Sequence, residues 1–173
     1  MKILQHLYFS FIIMKIKIQE IAINNFDNIS EITATKKRLL SNLIDINSSI
    51  FDIIKKFETQ ANFRSSIKKP GIKVNIKLIR VMPEFTLVHY QQLLLEYIQG
   101  IGWDDLQYIG FIHISSDVEI DIIFNRVISS SQAISLRCIG ANWRQYKIIE
   151  ESYEGILESQ FLKTAAQSPI VYV

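Results

Sequence analysis

The stretch that decides the fold is QYIGFIHISSDVEIDIIFNRV, residues 107–127. Residues 107–114 and 118–127 are predicted to be strands, and in the second of them Val118, Ile120, Ile122 and Phe124 recur at every other position, the period of a β-strand. The polar residues Ser115-Ser116-Asp117 between these segments are typical of a tight turn. The stretch is therefore predicted to be a β-hairpin.

The predicted hairpin brings together three side chains of the kinds that bind metal ions. If Ile114 pairs with Val118, His113 lies opposite Glu119, and such partners point to the same face with Cβ atoms about 4.5–5.5 Å apart. Asp121 follows Glu119 by two positions and shares that face. One imidazole and two carboxylates form a plausible partial shell for a divalent metal such as Mg²⁺ or Mn²⁺. An ordinary solvent-facing strand is the alternative, and the pattern alone leaves both open.

The rest of the chain supplies further strands and amphipathic helices. Alternation predicts strands over Lys15–Ile23 and 72–81, and helical spacing predicts helices over Ile50–Ala61, 83–99 and 142–157. Residues 35–40 are interpreted as the end of a short helix. This order predicts an α+β fold, with a largely antiparallel sheet flanked by helices.

Length and composition suit one domain without a disulfide framework. The chain has 173 residues, of which 49% are hydrophobic, and Cys138 is its single cysteine. We expect residues 1–13 to be an extra segment before a natural start at Met14, 14–160 to form the domain, and 161–173 to be a tail. No apolar run reaches the roughly 20 residues that span a bilayer. We therefore expect a cytoplasmic protein without a membrane partner.

The charges are divided unevenly along the chain. Residues 1–85 contain 14 Lys or Arg and 7 Asp or Glu, a balance of +7, whereas residues 86–173 contain 5 and 10, a balance of −5. A basic half can track the phosphates of a nucleic acid, although an ordinary solvated surface has the same composition. The candidate contacts to a DNA backbone are Lys55, Lys56, Arg64, Lys68, Lys69, Lys73 and Lys77.

Several short motifs occur in the order found in one family. A predicted helix leads to Lys-Lys-Pro at 68–70, EYIQGIGWDDLQY follows at 96–108, and the hairpin ends in Asn-Arg-Val at 125–127. Over about 42–153 the chain resembles the mobilisation relaxases, plasmid-transfer nucleases of the His-hydrophobic-His endonuclease group. The resemblance implies a fold in which a metal-motif hairpin lies centrally in the antiparallel sheet.

The resemblance also implies a function and a set of partners. It implies a DNA-nicking endonuclease of plasmid or mobile-element transfer, acting on single-stranded or nicked DNA with accessory mobilisation proteins. The divalent metal, Mg²⁺ or Mn²⁺, would be held by His113, Glu119 and Asp121. Asn125 shares their face and is a candidate for binding a phosphate or a metal-bound water, or it only ends the strand.

The chain departs from the family at the metal motif and at the nucleophile. The family usually has three histidines at the metal, and Glu119 and Asp121 stand where two of them would be. Relaxases attack DNA with a tyrosine hydroxyl, but no tyrosine lies between Met14 and Asn42. Tyr8 is the only tyrosine before residue 90, and it precedes the first predicted strand. The alternative to an active nuclease is therefore a catalytically dead module of the same fold that binds nucleic acid or a partner.

Overall fold

The computed structural model describes residues 15–79 and 85–167. These residues form two compact units. The first contains residues 15–79 and 105–141, and the second contains residues 85–104 and 142–167.

The first unit is built on a five-stranded sheet in which all neighbouring strands are antiparallel. Its order is β1-β3-β5-β4-β2, so the last strand in the chain is the central one. The predicted α+β class with an antiparallel sheet is confirmed. The strands are β1 Lys15–Ile23, β2 Lys37–Asn42, β3 Gly71–Ile79, β4 Gln107–Ile114 and β5 Asp117–Asn125.

The prediction of a helix end over residues 35–40 is wrong. Residues Lys37–Asn42 form β2, which pairs with β4 at an edge of the sheet, and a register shift between Arg38 and Leu40 interrupts the pairing. A short helix, α1 (Asn28–Thr33), comes before it. Six residues are too few to show a clear helical or strand period. Pairing with β4, which is distant in the sequence, determines that they form a strand.

The helix predicted over Ile50–Ala61 is confirmed and is named α2. The Oγ of Ser49 accepts a hydrogen bond from the backbone N–H of Asp52 and so caps the first turn. Ile53 and Phe57 on its inner face are fully buried. They join residues of α1 and of the sheet in one core cluster, which covers the end of the sheet where β3 begins and β5 ends.

The strand alternation predicted for 72–81 is present in β3, whereas Gln107–Ile112 of β4 are buried on both faces. On one face of β3 and β5 the side chains are apolar and buried, as at Ile76 and its partner Ile120. The other face carries Lys73, Asn75 and Lys77 of β3 and the carboxylates of β5. Residues 80–81 of the predicted strand lie outside the described residues.

Gly71 begins β3 at a point where two side chains pack against the backbone. A Cβ at this position would lie 2.5 Å from Ile23 Cγ1 and 2.9 Å from Phe26 Cε1. Glycine therefore allows α1 and its preceding turn to pack closely against the sheet.

The second unit contains two helices, α3 (Leu87–Gly100) and α4 (Trp143–Gln167). The helix predicted over 83–99 begins at Leu87, and positions 83 and 84 lie outside the described residues. The helix predicted over 142–157 continues ten residues further, to Gln167. Phe85 stacks on Tyr153 with ring centroids 4.6 Å apart. Among the described helices, none combines the length and apolar character needed to cross a membrane.

Candidate functional site

The hairpin has the register that the sequence predicts. His113 is the partner of Glu119, and Ile114 is the partner of Val118. Asp121 points to the same face as Glu119 because the two are separated by one residue of a strand. The hairpin therefore places one imidazole and two carboxylates on one face, next to the centre of the sheet.

A lysine from a distant part of the chain lies between the two carboxylates. The Nζ of Lys36 is 2.8 Å from Oδ2 of Asp121 and 3.1 Å from Oε2 of Glu119. Lys36 immediately precedes β2 and lies 83 positions before Glu119 in the sequence. Its side chain is 12% exposed and that of Asp121 only 3%, so the contact with Asp121 is largely shielded from water.

Two lysines of β3 complete a network of alternating charges. Lys77 Nζ lies 3.1 Å from Asp117 and 3.4 Å from Glu119. Lys73 Nζ lies 3.8 Å from Asp121 Oδ1. Together with Lys36, these residues form what we call the sheet-face ion network, in which three lysines and three carboxylates have formal charges that cancel.

Both oxygens of Asp121 are engaged inside this network. The Nδ2 of Asn75 donates a hydrogen bond to Oδ1 at 2.9 Å, and Oδ2 faces Lys36. A buried carboxylate is tolerated when it is paired and hydrogen-bonded in this way. Asp121 is therefore paired within the chain at both of its carboxylate oxygens.

The network shifts the pKa values of two half-buried members, Glu119 and Lys77. The hydrogen bond from Lys36 lowers the pKa of Glu119 below its ordinary value, against the opposing effect of partial burial. Hydrogen bonds with Asp117 and then Glu119 raise the pKa of Lys77. Both shifts favour the charged forms, namely the carboxylate of Glu119 and the ammonium of Lys77.

The residues proposed for the metal do not form a cation site as they are arranged. Within residues 15–79 and 85–167, no group of three or more His, Cys, Asp or Glu side chains is positioned to hold a metal ion. The ammonium of Lys36 lies within contact distance of both carboxylates, and His113 on the exposed part of β4 makes no hydrogen bond to a described residue. Binding of Mg²⁺ or Mn²⁺ by His113, Glu119 and Asp121 stays a prediction, and it requires Lys36 to move away.

Asn125 lies at the covered end of the sheet and is fully buried. Its Nδ2 donates hydrogen bonds to the carbonyl oxygen of Phe57 and to Oε1 of Gln107, and its Oδ1 accepts one from the N–H of Val127. Asn125 lies four positions after Asp121 along the strand, a distance of about 13 Å. In this structure Asn125 joins α2 to the sheet and is not accessible to a phosphate or a metal-bound water.

The seven lysines and arginines proposed to contact DNA fall into three places. Lys55 and Lys56 are exposed on α2, and Arg64, Lys68 and Lys69 lie in the segment after α2. Lys73 and Lys77 belong to the sheet-face ion network and face carboxylates. The last two are therefore already neutralised within the chain.

Arg126 is a functional candidate that the sequence analysis missed. Its Nε donates a hydrogen bond to the carbonyl oxygen of Lys69 at 2.6 Å, and its Nη1 donates another to the carbonyl oxygen of Ile134. Burial, and after it the nearby charge of Arg64, lowers the pKa of Arg126. In the sequence, Arg126 could have been identified from its position in the Asn-Arg-Val motif.

Arg126 and the preceding basic segment form what we call the basic loop cluster, namely Arg64, Lys68, Lys69 and Arg126. Within the described parts of the chain, no carboxylate lies within ion-pair distance of any of the four. Lys68 and Lys69 are exposed. Four uncompensated cations create a positive potential that attracts anions.

Four of the described tyrosines, namely Tyr90, Tyr97, Tyr108 and Tyr153, are buried and so are poorly placed to attack DNA. Tyr90 and Tyr153 are buried in the second unit, and burial, followed by the effect of Tyr153, raises the pKa of Tyr90 to about 12. A raised pKa opposes the deprotonation that a nucleophilic phenol requires. Tyr8, the candidate named from the sequence, lies outside the described residues.

No protein-family model, curated protein or solved structure matches this chain. The relationship to relaxases therefore stays a prediction from its short motifs.

Proposed function

We propose that the chain is a nucleic-acid-binding module that binds single-stranded or nicked DNA through the basic loop cluster. The observation that carries the proposal is the grouping of Arg64, Lys68, Lys69 and Arg126 without a carboxylate partner among the described residues. DNA phosphates supply the missing negative charge, and their binding releases counterions. Arginine guanidinium groups suit this role because they donate paired hydrogen bonds to phosphate oxygens.

The sheet-face ion network favours the hypothesis of a binding module that has no nuclease activity. Lys36 contacts both of the carboxylates that a nuclease of this type would use for a metal. The absence of a tyrosine between Met14 and Asn42 points the same way. The proposal therefore keeps the relaxase-like sheet as a scaffold and assigns binding to the loop after α2.

Fluorescence anisotropy with a labelled single-stranded oligonucleotide tests this proposal. The triple substitution Arg64→Ala, Lys68→Ala and Lys69→Ala should weaken binding and reduce the slope of log K against log salt concentration by about 0.7 for each lost phosphate contact. Lys147→Ala is the matched control, because Lys147 is exposed and pairs only locally with Glu151. Equal affinities of the triple variant and the control would contradict the proposal.

A second candidate is an active DNA-nicking endonuclease of the relaxase type, assisted by mobilisation proteins. The pairing of His113 with Glu119 favours it, because the resemblance requires these side chains on one face of a central hairpin. Incubation with supercoiled plasmid and Mn²⁺ tests it. Nicking by the wild-type protein that is lost in Glu119→Ala would establish the nuclease. Plasmid that stays intact under all metal conditions would contradict it and leave the binding module as the proposed function.

A further inference from the structure

A polar cleft of about 380 Å³ lies beside the basic loop cluster in the first unit. It opens between the turn after β1, the end of α2 and the segment that leads into β3. Phe26, Ala61 and Pro70 are buried side chains of its lining and give it an apolar floor. A volume of this size falls in the range of small-ligand sites, which are typically about 300–1,000 Å³.

The rim of this cleft carries polar groups that are available to a ligand. Asn24, Glu58, Asn62 and Ser65 line it and are exposed. Their side chains make no hydrogen bond or ion pair with the parts of the chain that the structure describes. The two amides can both donate and accept hydrogen bonds, whereas an ionised carboxylate such as Glu58 only accepts them.

The cleft and the basic loop cluster share one segment of backbone. Ser65 and Pro70 line the cleft, and Arg64 and Lys69 are their immediate chain neighbours, with Cα atoms about 3.8 Å apart. The backbone N–H of Arg126 also donates a hydrogen bond to the carbonyl oxygen of Pro70 at 2.9 Å. Uncompensated cations therefore flank a cleft whose own rim contains a carboxylate.

We propose that this cleft receives one unstacked base of a bound single strand while the basic loop cluster holds the adjacent phosphates. A ligand that satisfies both parts must be anionic at one end and must offer hydrogen-bond donors at the other. A nucleotide has this division, and the flat face of its base suits a cleft with an apolar floor. The inference rests on the proposed function and adds to it a site that distinguishes bases.

Glu58 predicts which bases the cleft prefers. A carboxylate accepts hydrogen bonds from the exocyclic amino group of cytosine, and asparagine amides pair with the amino edge of adenine. Thymine presents an acceptor oxygen at the corresponding position, which would face the Glu58 carboxylate unfavourably. The cleft is therefore expected to favour adenine and cytosine over thymine.

Binding of four strands of equal length tests the inference: oligo-dA, oligo-dC, oligo-dT and an abasic strand. The wild-type protein should bind oligo-dA or oligo-dC about tenfold more tightly than oligo-dT, the discrimination of one good pair of hydrogen bonds. Glu58→Gln should remove this preference and leave or raise the affinity for oligo-dT and the abasic strand, because it removes a negative charge. Asn62→Ala should also weaken the preference.

Two control variants and the abasic strand separate the possible outcomes. Asn47→Ala and Glu158→Gln change exposed residues of the same types away from the cleft lining and should leave the preference intact. Equal binding of all four strands, or a preference that survives Glu58→Gln, would overturn the base site while the phosphate site stands. Failure of every strand to bind, including the abasic one, would overturn both. Circular dichroism and thermal unfolding check that each variant is folded.

Discussion

Lys36 supplies the positive charge that the two hairpin carboxylates need. Two carboxylates on neighbouring positions of one face repel each other, and burial of Asp121 makes an unpaired charge there costly. The ammonium of Lys36 contacts both groups at 2.8 and 3.1 Å. Lys36, together with Lys73 and Lys77, thus balances the charge of the carboxylates on this face.

Removal of Lys36 should destabilise the protein strongly. Lys36→Ala leaves the buried carboxylate of Asp121 with Asn75 and the more distant Lys73, and breaking a buried pair costs about 3 kcal/mol. Lys37→Ala is the matched control, because Lys37 is the next residue, is exposed and makes no ion pair with a described residue. This control substitution should change the free energy of unfolding by less than about 0.5 kcal/mol. Urea unfolding measures both, and similar values would show that the network contributes little.

The lowered pKa of Glu119 predicts a pH dependence with a definite sign. Because the folded-state pKa lies below the ordinary value of 4.5, ionised Glu119 stabilises the protein above pH 4.5. This contribution is lost as the pH falls through the folded-state pKa. Wild-type protein should therefore be more stable than Glu119→Gln at neutral pH, and the difference should shrink below pH 4.5. Thermal unfolding across this range checks it, and a difference that grows on acidification would contradict the ion pair.

At the scale of the element, α2 packs in the core on one side and leads into the proposed DNA-binding surface at its C-terminal end. Its buried Ile53 and Phe57 pack in the core cluster, and the carbonyl oxygen of Phe57 accepts the hydrogen bond from Asn125. Its C-terminal end leads into the basic loop cluster through a short 3₁₀ helix, Asn62–Arg64. The position of the loop therefore depends on how firmly α2 is fixed.

Loss of the α2 cap should destabilise the protein moderately. Ser49→Ala removes the hydrogen bond that the Asp52 N–H donates to Ser49 Oγ at 3.1 Å, which costs about 1 kcal/mol. Ser48→Ala, one position earlier, removes a hydroxyl without a described partner and should have little effect. Chemical denaturation of the two variants gives the comparison, and equal stabilities would argue against Ser49 as the cap.

At the scale of the whole molecule, the order of the sheet concentrates stability in its centre. β5 pairs with β3 on one side and β4 on the other, and Ile120, Ile122 and Phe124 within it are fully buried. β1 and β2 each pair with a single strand in the described sheet. The polar face of β5 carries the carboxylates of the ion network, so the network is attached to the most enclosed strand.

Hydrogen exchange should follow this order. Amides of β5 should exchange only through global unfolding, whereas those of β2 should exchange faster through local opening at the edge. Exchange monitored by NMR provides the measurement, with the amides of β3 as an internal reference for a strand paired on both sides. Protection factors in Lys37–Asn42 as high as those in Asp117–Asn125 would contradict the predicted hierarchy.

The sequence predicted the elements whose patterns are long or whose turns are clear. β1, α2 and the register of the hairpin agree with the structure because each rests on a local period together with a turn or cap residue. β2 was missed because an edge strand of six residues is defined by its partner and not by its own pattern.

By itself, the sequence determined that one imidazole and two carboxylates share a face of the sheet, because strand alternation and a short turn are local properties. Only the tertiary structure decided what neutralises those carboxylates and where the uncompensated charge remains. Lys36 reaches Glu119 across 83 positions, and Arg126 joins a basic segment whose Lys69 lies 57 positions before it. Charge pairing depends on distance in space, and residues so far apart in the chain become neighbours only when the sheet and α2 assemble.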